Sequence, residues 1–316
     1  MNILKYVLLF FFIGLLTNTV FGQSQRSFDK LISETNDCLA SYATLSPFEE
    51  YTPLQNFDLS RKELKTILSD TSDEYSLTQN KDSVSTFYML AYFQGKILYN
   101  IDQMFTHDRL TANNIVTQIN TDDTDLHIAV SNDKKMYNFS LNEKSGGTYR
   151  SQFSTMYYTD IPSGNLPEEV TEEPSNNPYA VFESDGYSDI YSIDTEEGTK
   201  YVLTGYVRGC SYCFETYVQL VQFKNGSFQE DFIYSLNLRS WEDGVNYDPI
   251  TKTITVSYET DDLTTECHCS NNGEDYNYNN EEHELIKKKC FCSFEFNGSN
   301  FELIEESWEK VKETKK

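Results

Sequence analysis

The chain has 316 residues, with 50 acids against 25 bases and a formal net charge of −25. That charge repels nucleic acid and anionic membranes at long range and disfavours both, so no nucleic-acid partner is expected, while basic proteins and cations are favoured. The 23 tyrosines and 21 phenylalanines exclude intrinsic disorder, because they supply enough buried area to offset chain entropy. The length suits about two domains.

Residues 1–22 read as a secretory signal peptide: a positive start at Lys5, an apolar run from Tyr6 to Leu16, and Val20 and Gly22 at the positions a signal peptidase inspects. The run is too short to span a bilayer and no later stretch approaches that length, so no membrane span is expected after cleavage between Gly22 and Gln23. Lys5 is the one charged residue lost, which takes the net charge from −25 to −26. The expected location is periplasmic or extracellular. Acidity for solubility alone is the plain alternative to a charged partner.

The mature chain divides into an N-terminal α+β region (24–159), a Pro/Glu-rich linker or surface loop (160–178), a Cys-rich antiparallel β domain (179–306) and a lysine-rich tail (307–316), helical or frayed. A first helix follows Ser27 as cap, with Phe28, Leu31, Ile32, Leu39 and Tyr42 at helical spacing. A second covers 61–69, where Ser60 and Glu63 form a capping box ahead of Leu64, Ile67 and Leu68. Residues 86–105 fit a helical face, but Gln94-Gly95-Lys96 between two aromatic and aliphatic runs favours a hairpin. From about 114 the pattern is β, with strands around 127–130, 135–141 and 149–158 joined by Asn132-Asp133-Lys134 and Ser145-Gly146-Gly147.

Beyond the linker, eight short strands are expected: 179–183, 190–193, 201–207, 216–223, 227–234, 251–258, 283–296 and 301–305. Asn225-Gly226 and Asn297-Gly298 are hairpin signals, since both residue types tolerate positive φ. The strands repeat with no fixed period, which disfavours a propeller. The expected class is mainly β (α+β overall): N-terminal helices, then antiparallel meanders, then a sandwich- or barrel-like sheet stapled by disulfides.

Six of seven cysteines lie in the C-terminal part, as Cys210-Ser-Tyr-Cys213, Cys267-His-Cys269 and Cys290-Phe-Cys292. An exported chain keeps such pairs as bridges. Cys267 and Cys269, placed on a strand, face one side and can meet Cys290 and Cys292, while Cys210 and Cys213 clip a turn. The competing reading is thiolate binding of zinc or copper, for which His268 points the wrong way on a strand; a redox Cys210–Cys213 pair lacks a helix start to lower a thiol pKa. Cys38, on the first helix, is expected as a buried free thiol.

Nucleophile elbows, phosphate-binding glycine loops, zinc helices and dinucleotide fingerprints are absent. His107, His127, His268 and His283 lack partner motifs. Asp122-Asp123-Thr-Asp125 and Asp185, Asp189, Asp194, Glu196 and Glu197 offer oxygen ligands for calcium without EF-hand glycine placement, and Asn138, Asn225 and Asn297 begin glycosylation triplets. No cofactor is expected. The chain reads as a non-catalytic binding protein for a basic protein or an envelope component, with an acidic inhibitor or immunity-type protein as the special case. The alternative is a secreted carboxylate-dependent hydrolase of glycan or peptide.

Overall fold

The computed structural model describes residues 26–69, 82–147, 151–161, 179–184, 186–239, 243–262, 264–271 and 286–311. The signal segment, nearly all of the 160–178 stretch, Asp185, His283 and the tail beyond Val311 lie outside them. The described chain is a helical layer followed by three four-stranded antiparallel sheets.

The helical layer contains α1 (Phe28–Ala43), α2 (Arg61–Ser69), α3 (Thr86–Phe105) and α4 (Ala112–Gln118), with a small ribbon of β1 (Tyr51–Pro53) and β2 (Ser83–Ser85). Ser27 Oγ accepts the Lys30 N–H at the start of α1. The capping box of α2 forms in both directions: Ser60 N donates to Glu63 Oε2 at 2.8 Å and Glu63 N to Ser60 Oγ at 3.3 Å.

The expected hairpin at 86–105 is instead the single helix α3. Its buried residues Met89, Leu90, Phe93, Ile97, Ile101, Met104 and Phe105 follow helical spacing over five turns. Gly95 lies on its exposed side and a Cβ there would touch nothing within 4 Å, so the glycine costs helix propensity but marks no turn. The β pattern also starts later than expected: Thr111 Oγ1 accepts from Asn114 N and opens α4, and the first long strand begins at Leu126.

The first sheet runs in chain order through β3 (Leu126–Val130), β4 (Met136–Asn142), β5 (Gln152–Tyr158) and β6 (Ala180–Ser184). The 160–178 stretch therefore joins neighbouring strands of one sheet, and β6 completes the sheet that the N-terminal region begins. The second sheet is β7 (Asp189–Thr195), β8 (Gly198–Cys210), β9 (Cys213–Lys224) and β10 (Ser227–Leu238); the third is β11 (Gly244–Asp248), β12 (Thr253–Asp262), β13 (Ile286–Phe296) and β14 (Phe301–Lys310). β11 had no sequence expectation. Ser307 to Lys310, expected to open a helical or frayed tail, extend β14. The same up-and-down wiring thus occurs three times without a sequence period.

Alternation along the strands stacks these layers. On β4, Tyr137, Phe139 and Leu141 enter the core under the helices, while Met136 joins Met156, Tyr201, Leu203 and Val221 between the first and second sheets. On β8, Val202 turns the other way and joins Val218, Leu220, Ile254, Val256 and Phe294 between the second and third sheets. The last two sheets pack face to face as a sandwich of open sheets, not a closed barrel.

A buried polar bond crosses each interface. Tyr157 OH donates to Asp102 Oδ1 of α3 at 2.6 Å, and Tyr201 OH of the second sheet to Asp133 Oδ2 of the first at 2.8 Å. Lys200 Nζ bonds Asp231 at 2.7 Å and the Ser299 carbonyl in the β13–β14 turn at 2.6 Å. Such bonds fix register, because an unpaired buried partner costs more than a paired one returns. Lys144 closes the helical layer onto the first sheet: its Nζ donates to the carbonyls of Tyr42, Ala43 and Leu45 at the end of α1 and pairs with Asp125 at 2.9 Å.

Candidate functional site

All six C-terminal cysteines are bridged: Cys210–Cys213, Cys267–Cys290 and Cys269–Cys292. In this state none offers a thiolate to a metal. Cys210–Cys213 clips the β8–β9 turn, with Cα atoms 4.7 Å apart. The other two form a ladder, but Cys267 and Cys269 are not on a strand. They lie on an irregular segment that ends in a 3₁₀ turn from Cys269 to Asn271, laid over the inner face of β13. His268 there has φ 52°, so strand alternation does not govern its direction.

The segment is pinned polar group by polar group. Lys288, fully buried on the inner face of β13, donates to the carbonyls of Thr264 (2.8 Å) and Glu266. Tyr258 OH donates to the Cys267 carbonyl, and Cys267 N donates to Glu306 Oε1 at 2.7 Å. Two covalent and four hydrogen-bonded ties therefore hold the far ends of β13 and β14 in place.

β14 is an edge strand, and every residue from Glu302 to Lys310 is exposed. Val311 N donates to Lys287 O, which makes the Lys288–Lys310 pair a non-hydrogen-bonded one. By alternation Glu306, Trp308 and Lys310 direct their backbone N–H and C=O groups away from β13, into solvent. A bulge opposite Ser293 and Phe294 separates this run from Phe301 and Leu303. Side chains alternate: Glu305, Ser307 and Glu309 stand on the outer face, Glu306 and Trp308 on the inner. Ile304 is 58 % and Trp308 40 % exposed, an unusual pairing of apolar surface with open backbone. A cue to the strand's length was present, since a hairpin pairs strands of equal length and β13 spans 11 residues.

The helical layer carries a groove of about 960 Å³ between α1, the loop before α2 and α3, lined by Cys38, Glu63, Tyr92 and Lys96 among others. Glu63 Oε1 accepts from Lys96 Nζ at 2.5 Å and Tyr92 OH at 3.0 Å. Burial alone would raise its pKa; the bonds from Lys96, Ser60 and Tyr92 outweigh it and bring the carboxyl down to about 2. Burial pushes the thiol of Cys38, unbridged and 3 % exposed, upward. This is a saturated ion pair beside an un-ionised thiol, better suited to anchoring α2 on α3 than to proton transfer or nucleophilic attack.

The three described histidines stay apart. His107 Nδ1 accepts from Arg109 N and its ring packs on Phe28; His127 Nε2 meets Ser188 O at 2.9 Å; His268 Nε2 lies 3.4 Å from Thr264 Oγ1. Among the described residues no group of three His, Cys, Asp or Glu side chains could hold a metal ion. Of the acids considered for calcium, Asp125 pairs with Lys144, Asp194 accepts from Thr199 and Glu197 pairs with Lys224. Asn138 is fully buried and bonded to Ser154 and Ser140, so its glycosylation triplet is closed in the folded chain, while Asn225 and Asn297 sit at exposed turns.

The sequence-derived site residues thus fall into a structural set, the bridges, and a buried one, Cys38; β14 adds an exposed edge that lies outside both sets. Searches among protein-family models, curated proteins and solved structures return no match to this chain, so the site is read from its own residues.

Proposed function

We infer that this chain is an exported, non-catalytic binding protein that captures a cationic partner on the acidic rim of its third sheet. One observation carries the reading: an edge strand paired to the disulfide-tied β13, and bonded to the tied segment through Glu306, presents Glu302, Glu305, Glu306 and Glu309, with Ile304 and Trp308 between them, to solvent. Clustered acid on a rigid strand speeds encounter with a basic surface, and the interleaved apolar side chains supply the short-range term that charge alone does not. The inhibitor or immunity-type role is a form of the same reading. Bridged cysteines and the expected signal segment both support an oxidising location.

The hydrolase reading draws on the same abundance of carboxylates. Its weakness is in the helical groove, where Glu63 is held ionised by three neighbours and is a poor proton donor.

The test is titration of the mature, oxidised protein with a fluorescent lysine-rich peptide over a range of ionic strengths. Saturable one-to-one binding that weakens with salt, and that Glu305→Lys with Glu309→Lys removes, is the expected result. Binding indifferent to those substitutions, or none at low salt, overturns it.

A further inference from the structure

We propose that β14 binds its partner by strand addition: an extended segment bearing lysine or arginine pairs with the run from Glu306 to Lys310 as a fifth strand of the third sheet. This rests on the reading of the chain as a binder of cationic partners and specifies how the partner is held.

Among the described residues the other edges of the three four-stranded sheets are short or are met by neighbouring elements. β3 and β7, the first strands of the first and second sheets, pack on one another, and β11 packs on the second sheet. β6 has five residues. β10 is long, but Asn300 Nδ2 donates to the Asp231 carbonyl at its bulge and Lys200 grips the Asp231 side chain. Among the described residues no bond reaches the outward backbone groups of Glu306, Trp308 and Lys310 on β14, and the segment through Cys267 and Cys269 meets the strand from its inner face, where Glu306 accepts from Cys267 N. An edge that is rigid, extended and open already holds the conformation an added strand needs, so binding orders little of the protein itself.

Side-chain chemistry selects the occupant. A strand laid beside β14 places residues opposite Glu305 and Glu309 on the outer face, and opposite Glu306 and Trp308 on the inner face. Neither Glu305 nor Glu309 has an ion-pair partner among the described residues. Cationic side chains satisfy them, and the exposed indole of Trp308 accepts a cation or an aliphatic chain on its face. A second copy of this chain is disfavoured by the same residues, because two β14 edges laid together juxtapose glutamates and each copy is strongly acidic, −25 for the full sequence and −26 without Lys5. The glutamates thus discourage self-pairing and select a basic strand.

The experiment uses the full mature chain with its bridges intact and two peptides of four lysine–valine repeats, one plain and one N-methylated at every amide, which leaves no N–H on either edge. Charge is identical in the two, but the methylated peptide cannot complete a ladder. The plain peptide is expected to slow hydrogen exchange at the amides of Glu306, Trp308 and Lys310, and to bind at least tenfold tighter than the methylated one. Trp308→Pro removes an outward N–H without touching the β13 ladder and is expected to abolish that difference, whereas Trp308→Val preserves it. Equal binding of both peptides, still lost on Glu305→Lys with Glu309→Lys, overturns strand addition and leaves the cationic-partner reading standing. Binding of neither peptide overturns both. Concentration-dependent dimerisation with protection at the same three amides assigns the edge to a second copy and overturns the proposal.

Discussion

The first and third sheets are wired alike, four antiparallel strands in chain order, yet they are stabilised differently. The first is covered on both faces, by the helical layer on one side and the second sheet on the other, and holds no disulfide. The third has its outer face in water, and two bridges tie an irregular segment over its buried inner face. The sheet with water on one face is the one that carries covalent ties on the other, and its last strand keeps an edge unpaired among the described residues.

The largest expected effect tests the covered half. Phe105 stacks on Tyr157 at 4.1 Å and meets Tyr137 and Phe139 edge-on, so Phe105→Ala should cost about 4 kcal/mol in urea unfolding. A loss below about 1.5 kcal/mol would mean that the helices and first sheet do not depend on this contact.

Next comes the stapled half. Each ladder bridge spans 23 residues, for which the chain-entropy account gives about 3 kcal/mol for the first and less for the second, since the loop is then already closed. Replacing Cys267, Cys269, Cys290 and Cys292 by alanine should strip exchange protection from β13 and β14 and spare β4 and β5. Uniform loss across both sheets would break the contrast.

A smaller effect concerns pH. The folded pKa of Glu63, about 2, is below its ordinary value, so its bonds contribute stability that is complete above the unfolded pKa and lost as pH falls toward 2. Glu63→Gln should therefore destabilise by about 1 kcal/mol at neutral pH, after allowance for solvent screening, and by progressively less between about pH 4.5 and 2. An unchanged difference at pH 2 would show that charge is not what Glu63 contributes. The smallest change has the opposite sign: Gly95→Ala should stabilise by about 0.5–1 kcal/mol, because the added methyl is unobstructed on a helical surface. Destabilisation would restore the turn that the aromatic runs suggested.

Much of the fold was legible where one residue's chemistry is strictly local. Ser27, Ser60 with Glu63, and Asn225-Gly226, whose φ angles are 55° and 87°, acted as their side chains dictate. Asn297-Gly298 did so less directly: the turn has four residues, with Asn297 Oδ1 accepting from Ser299 N and Asn300 N. α3 was not legible because apolar residues dense enough to bury a helix between layers also satisfy strand alternation. The end of β14 was missed because Glu-Glu-Ser-Trp-Glu-Lys carries no alternating burial; an edge strand exposed on both faces leaves no such pattern.

By itself, the sequence determined the helix caps, the hairpin turns, the acidic balance and the presence of sulfurs able to bridge, since each follows from neighbours a few residues apart. Only the tertiary structure decided which face of each strand meets which layer, that Cys267 and Cys269 reach β13 from an irregular segment, and that among the described residues the outer edge of β14 is left unpaired. Those outcomes depend on surfaces brought together across long stretches of chain, and the free energy that selects among them arises when the layers close.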